Sequence, residues 1–190
     1  MKNFNIYITG VGGQGIGLLA EAIIRAADHA GHTVRGVDTH GLAQRGGVVV
    51  SYVRLGSSSH SPLFPAGEAD LVIALERHEA LRGLASFLKK QGTIIYYDAL
   101  WQPLDVRLKK AQEVTPEQII TACEKKQVKL FTVQKDDLED VRMQNVVVLS
   151  KIAQQKLIPD VMPEHYQLAL ADLLTGQTLE KNISLFNYLL

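Results

Sequence analysis

The stretch ITGVGGQGIG sets Gly10, Gly12 and Gly15 at the G-x-G-x-x-G spacing, with Gly13 and Gln14 between them. Glycines so spaced let a backbone turn approach a phosphate closely, and a helix opening behind the turn adds amide donors and a favourable dipole. Asp38 falls where an acid that binds a ribose hydroxyl would stand. A second polar group follows in THGLAQRGG, where His40, Gln44 and Arg45 are interleaved with Gly41, Gly46 and Gly47. Glycines around an arginine are costly to order, so this stretch reads as a site or an interface; a solvated loop with Arg45 paired to Asp38 is the alternative.

Other reactive side chains offer less. The single cysteine, Cys123, lies in a helical pattern with no basic neighbour on its apolar side and reads as a buried, inert thiol. One thiol cannot bind an iron–sulfur cluster, which takes about four thiolates, so any electron-transfer metal belongs to a second polypeptide. His78 lacks the H-E-x-x-H spacing of a zinc site, and the face it shares with Glu79 and Arg82 reads as solvated. Ser57 to Ser59 with His60 have no nucleophile elbow and read as a loop. Trp101, Tyr96 and Tyr97 read as packing anchors. No metal site and no catalytic residue of this chain alone is expected.

The elements that must position these groups alternate strand and helix. FNIYIT, from Phe4 to Thr9, is a buried strand; IGLLAEAIIRAADHAG is an amphipathic helix closed at Gly31; TVRGV is a second strand leading to Asp38. Only about nine residues join that strand to GVVVSYVRL, from Gly47 to Leu55, whereas a parallel crossover takes about a dozen or more. The third strand is therefore antiparallel or displaced, which breaks the standard dinucleotide half. ADLVIAL reads as a central parallel strand, RHEALRGLASFLKK as a helix closed by Gly92, and TIIYYD as the next strand. Thr115, Pro116 and Gln118 open the helix of Cys123, and VKLFTV is a further strand. Two helices follow, the second opened by Pro163 and closed by Gly176, before a terminus whose Leu185, Phe186, Tyr188 and Leu189 must dock on the core or on a neighbour. The pattern predicts one α/β domain over residues 1–190, a Rossmann-like three-layer fold with a mainly parallel sheet, one displaced or antiparallel strand, and C-terminal helices.

Composition narrows the partners. Twenty basic residues balance twenty acidic ones with no long run of either sign, which argues against a nucleic-acid or membrane surface as partner. No run reaches the roughly 18 apolar residues of a membrane span and MKNFNIYITG is not a secretory signal, so the expected location is the cytoplasm.

Taken together, GVGGQGIGLLAEAI, GLAQRGGVVVSYVRLG, SPLFPAGEADLVIALERHEALR and KNISLFNYLL resemble the gamma-type subunit or domain of 2-oxoacid:ferredoxin oxidoreductases, in particular the small beta subunit of the indolepyruvate enzymes. The resemblance runs through essentially the whole chain. It implies a subunit of a complex that oxidatively decarboxylates a 2-oxoacid to an acyl-coenzyme A and passes electrons to ferredoxin. Thiamine diphosphate, magnesium and the [4Fe–4S] clusters are then expected on a large alpha subunit, with coenzyme A as co-substrate. Onto matching positions it carries Gly10, Gly12, Gly13, Gln14 and Gly15 as a turn able to take an anionic group such as a coenzyme A phosphate. Gln44, Arg45, Gly46 and Gly47, beside Asp38 and His40, become an active-site entrance or inter-subunit surface. For the isolated chain, a monomer and a homo-oligomer formed through surfaces meant for its partner both stay open. The rival reading is a self-sufficient NAD(P)- or FAD-binding oxidoreductase or sensor that uses the glycine turn.

Overall fold

The computed structural model describes residues 3–38, 47–57, 60–101, 106, 108–109 and 112–190. Six strands form one sheet: β1 (Phe4–Val11), β2 (Val34–Asp38), β3 (Val48–Leu55), β4 (Ala69–Ala74), β5 (Leu88–Tyr97) and β6 (Lys129–Val133). Their order across the sheet is β2-β3-β1-β4-β5-β6. β4 is parallel to both β1 and β5, and β6 is parallel to β5. β3 runs antiparallel to both β1 and β2 and lies between them. The short connection from Asp38 thus has the consequence expected of it, a reversed strand that displaces β2 from β1.

Helices cover both faces. The α1 helix (Ile16–His29) packs on one face with α4 (Gln144–Gln154), α5 (Pro163–Leu173) and α6 (Gly176–Leu189), while α2 (Arg77–Ser86) and α3 (Pro116–Lys126) cover the other. Period-two alternation assigns each strand residue to a layer. Ile6 and Ile8 of β1, Leu71 and Ile73 of β4, and Ile95 and Tyr97 of β5 join the α1 side. Tyr7, Val72, Ala74, Ile94 and Tyr96 join the α2 side. Helix α3 starts as its sequence dictates: Thr115 Oγ1 accepts from the Gln118 amide and Gln118 Oε1 accepts from the Thr115 amide.

Two boundaries differ from the periodicity. Helix α2 ends at Ser86 rather than running to Gly92. Phe87 stacks on Tyr7 with ring centroids 3.9 Å apart, and Leu88 is fully buried and pairs with Ala69, so tertiary burial draws LKK into β5. A register shift between Ala69 and Leu71 and a positive φ at Gln91 absorb the residues between. Gly176 does not close α5, which ends at Leu173; it opens α6. That last helix docks on the chain's own core through Phe186, which is wholly buried.

Candidate functional site

Strands β1 and β4 are neighbours whose following helices go to opposite faces of the sheet, which makes the crevice beyond their carboxyl ends a topological switch point. The glycine turn stands at this edge. A β-turn closes from Gln14 N–H to the Val11 carbonyl at 3.1 Å, with Gly13 at φ +105° and Gly15 at φ +78° before α1 begins. Both positions are in the left-handed region that glycine tolerates. Gly10 serves another need: a Cβ there would lie 2.4 Å from Ile16 Cδ1 and 3.2 Å from Leu75 Cβ, so it lets α1 sit close to the sheet. Gly13 faces solvent, flanked by the Trp101 indole, whose Cζ3 lies 3.5 Å from where its Cβ would be.

Gln14 does not reach into the crevice. Its side chain is fully buried, accepts from the Val11 amide at 2.8 Å, and donates to the Leu75 carbonyl at 2.7 Å. It is a strut between β1 and the end of β4, which leaves the expected anion contact to the backbone amides of the turn. Beneath the turn, Asn145 Nδ2 donates to the Gly15 carbonyl at 3.1 Å and Gln144 Nε2 to the Gln14 carbonyl at 3.4 Å. Neither residue carried a sequence signal, because both are 130 positions from their partners.

Of the second motif, His40, Gln44, Arg45 and Gly46 lie outside the described residues. Gly47 is described, and it is tied to the first motif: Gly12 N–H donates to the Gly47 carbonyl at 2.8 Å. The two glycine-rich stretches therefore meet just beyond the carboxyl end of β1. Asp38 closes β2 with Oδ2 3.5 Å from the Cβ position of Gly17, in the first turn of α1. These contacts weigh against the dinucleotide reading. The Gly12 amide, which would face a pyrophosphate, is already engaged, and β3 sets Asp38 two strand spacings from β1, about 9–10 Å, instead of one.

On the α2 side of the crevice lies an arrangement missed in the sequence. Glu76 caps α2, with Oε1 accepting from the Glu79 amide at 2.6 Å, and Glu79 Oε2 accepts from Thr9 Oγ1 at 2.8 Å. Both carboxyl groups are fully buried, so Glu79 is not on a solvated face. Burial pushes the Glu79 carboxyl above its ordinary range, opposed by the Thr9 hydrogen bond and by Arg82, whose Nη2 is 3.5 Å from Oε1. His78 Nδ1 lies 3.3 Å from Glu76 Oε2, and the adjacent Arg77 pairs with Asp98 at the end of β5. The arrangement fixes the start of α2 against β1. Cys123 is buried in the α2-side core and its thiol is pushed up to about 11, so it is not a nucleophile at neutral pH.

Comparison with known proteins places this geometry. The profile of the pyruvate ferredoxin/flavodoxin oxidoreductase family matches residues 5–188. The chain belongs to that family. A relative within it from Archaeoglobus fulgidus, named indolepyruvate oxidoreductase subunit IorB, is 34% identical over 183 residues, covering 94% of this chain and 90% of that protein. Proteins of the same name from Thermococcus kodakarensis and Pyrococcus horikoshii are 46% identical over 94 residues. That is 50% of this chain, and the matched part spans about half the length of each relative, 46%.

Solved structures share the fold of this pyruvate ferredoxin/flavodoxin oxidoreductase family member. The gamma subunit of a keto/oxoacid ferredoxin oxidoreductase from Geobacter sulfurreducens aligns with a TM-score of 0.66 at 20% identity, covering 98% of this chain and 94% of that one. A 2-oxoglutarate:ferredoxin oxidoreductase from Magnetococcus marinus, solved with 2-oxoglutarate, coenzyme A and succinyl-CoA, aligns with a TM-score of 0.70 at 18% identity. All of this chain matches 30% of that longer one.

Proposed function

We propose that this chain is the gamma-type subunit, a single domain, of a complex that oxidatively decarboxylates an aryl 2-oxoacid such as indolepyruvate. The overall reaction consumes the oxoacid, coenzyme A and two oxidised ferredoxins, and yields acyl-CoA, carbon dioxide, a proton and two reduced ferredoxins. The complex acts in the cytoplasm. The observation that carries the reading is the Gly12–Gly47 hydrogen bond, which joins the family's two glycine-rich motifs at the switch-point crevice. Its support in sequence is the Archaeoglobus relative, aligned over nearly the whole of both chains.

The cofactors of such a reaction do not fit this chain's own donors. A cluster needs about four thiolates, and the one cysteine here is buried with its thiol pushed up to about 11. The sequence also has no GDG segment followed by an asparagine pair for a diphosphate and its magnesium. The redox groups belong to a large partner subunit, and the chain is inactive alone. Its own contribution is the crevice: the first amides of α1 lack intrahelical acceptors and take a phosphate of coenzyme A, while Asp38, His40, Gln44, Arg45, Gly46 and Gly47 form the entrance or the partner surface.

Co-expression with a candidate large subunit, followed by an assay of coenzyme A-dependent viologen reduction, tests this reading. Turnover is expected with indolepyruvate above pyruvate, and only in the complex. Titration calorimetry of coenzyme A into complexes with wild-type chain and Arg45→Ala then tests the loop: unchanged affinity removes Arg45 from the site. Turnover by the isolated chain would overturn the proposal.

A further inference from the structure

The two side-chain amides beneath the glycine turn make a specific pattern with the peptide groups they touch. The carbonyl of Gln14 and the N–H of Gly15 belong to one peptide unit; the carbonyl of Gly15 and the N–H of Ile16 belong to the next. Gln144 Nε2 donates to the first carbonyl at 3.4 Å and Asn145 Nδ2 to the second at 3.1 Å, while the Gly15 carbonyl also accepts from the Leu19 amide at 3.1 Å. A donor on a carbonyl polarises its peptide unit and strengthens the N–H at the other end, the more so in a dry environment. Here the donors are buried, Gln144 and Asn145 at 1% and 2% exposure, and Gly15 is half-buried. Donation also fixes the plane of each unit, and so the direction of its N–H.

The contact is built rather than incidental. Asn145 Nδ2 lies 2.6 Å from where a Cβ on Gly15 would stand, so the amide occupies the space that glycine leaves. Both residues also keep a buried side-chain oxygen, Gln144 Oε1 and Asn145 Oδ1, without a hydrogen-bond partner among the described residues. A buried unpaired carbonyl is costly, and the nitrogen ends are committed to the turn despite that cost. Glutamine and asparagine at the head of α4 are not needed to start that helix, whose cap makes no side-chain hydrogen bond.

We infer that Asn145, assisted by Gln144, is a positioning residue that orients and polarises the Gly15 and Ile16 amides at the head of α1. This rests on the reading that the turn takes a phosphate of coenzyme A, and it assigns that binding a dependence on α4. Helix α4 is itself braced by the chain's end: Gln154 Nε2 donates to the Leu190 carbonyl at 3.1 Å, and α6 packs in the same core. The C-terminal motif and the glycine turn are thereby linked through one helix.

The test uses the full-length 15N-labelled chain and amide chemical shifts. In the free protein, Asn145→Ala is expected to move the Ile16 amide proton upfield, and the near-isosteric Gln144→Met to do the same at Gly15. Amides in β5 and β6 should stay in place. With coenzyme A as probe, wild type should show shifts at Gly15 and Ile16, and Asn145→Ala should bind about fivefold more weakly, the loss typical of one hydrogen bond. Should Asn145→Ala not fold, Gln144→Met gives the same two readouts. Folded variants whose Gly15 and Ile16 shifts match wild type overturn the inference, whatever their affinity. If coenzyme A perturbs neither amide in wild type, the phosphate reading fails, and the free-protein shifts still decide whether the two side chains govern the turn.

Discussion

The backbone N–H of Gly12 and the carbonyl of Gly47 lie 2.8 Å apart, so the end of β1 and the start of β3 are pinned to each other just beyond the carboxyl end of β1. That amide cannot serve a pyrophosphate without breaking a bond already made. The isolated chain is therefore expected to show no saturable NADH binding by fluorescence titration, and Asp38→Ala to leave the titration unchanged. Tight binding abolished by Asp38→Ala would restore the dinucleotide reading.

The Gln14 side chain crosses from the turn to Leu75, just past the end of β4. Gln14→Leu preserves bulk but leaves the buried Val11 amide and Leu75 carbonyl without the partners they have at 2.8 and 2.7 Å. Each orphaned group costs about 1–3 kcal/mol, so a loss of roughly 2–6 kcal/mol is expected in urea denaturation. A loss below about 1 kcal/mol would show that the strut is replaceable, for instance by water.

Local chemistry made some of this legible in the sequence and distance hid the rest. The reversed β3 followed from a connection too short for a crossover, and the capping box of Thr115 and Gln118 from residues three apart. Gln14 as a strut did not follow, because its partner carbonyl is 61 positions away at the end of another strand. Glu79 was misread because a charged residue in a weakly amphipathic helix reads as solvated; only the fold brings Thr9 beneath it. The helix boundary at Ser86 and the role of Gly176 were likewise set by tertiary packing, which overrides intrinsic preference at element ends.

The Glu79 carboxyl gives a pH-dependent prediction. Burial raises its pKa in the folded state, so between the unfolded and folded values the native protein holds more protons than the unfolded chain. Stability on this account falls as pH rises through that window and is recovered below the unfolded value. Glu79→Gln removes the titration and can keep the acceptor facing Thr9. The variant should be more stable than wild type at pH 7, with the advantage shrinking toward pH 4, as read from thermal or urea midpoints across pH. A variant less stable than wild type at pH 7 would mean that the Arg82 contact outweighs the burial cost.

Cys123 should resist chemistry until the core opens. With its thiol pushed up to about 11 and the side chain 3% exposed, reaction with a disulfide reagent at pH 8 should be slow in buffer and stoichiometric in denaturing urea. Rapid labelling of the folded chain would place the thiol nearer the surface than this packing allows.

Phe186 anchors α6, fully buried beside Tyr166 with ring centroids 6.1 Å apart. Phe186→Ala should cost about 3–5 kcal/mol. The exposed Tyr188→Ala should cost little, since 78% of that residue faces solvent. Equal losses for the two would contradict the docking of this helix.

The reversal of β3 has a consequence for how members of such a lineage can diverge. Strand β2 leaves the sheet at Asp38 and β3 re-enters beside it, each end held by its own ladder: Asp38 opposite Ser51, and Val48 opposite Val11. Pairing register is set by those ladders and not by the number of residues spanning 39–46. Lengthening that span costs only the slow logarithmic growth of closure entropy, about 0.6 kcal/mol per doubling. The scaffold can therefore exchange the residues that join these two strands while its architecture stays as it is.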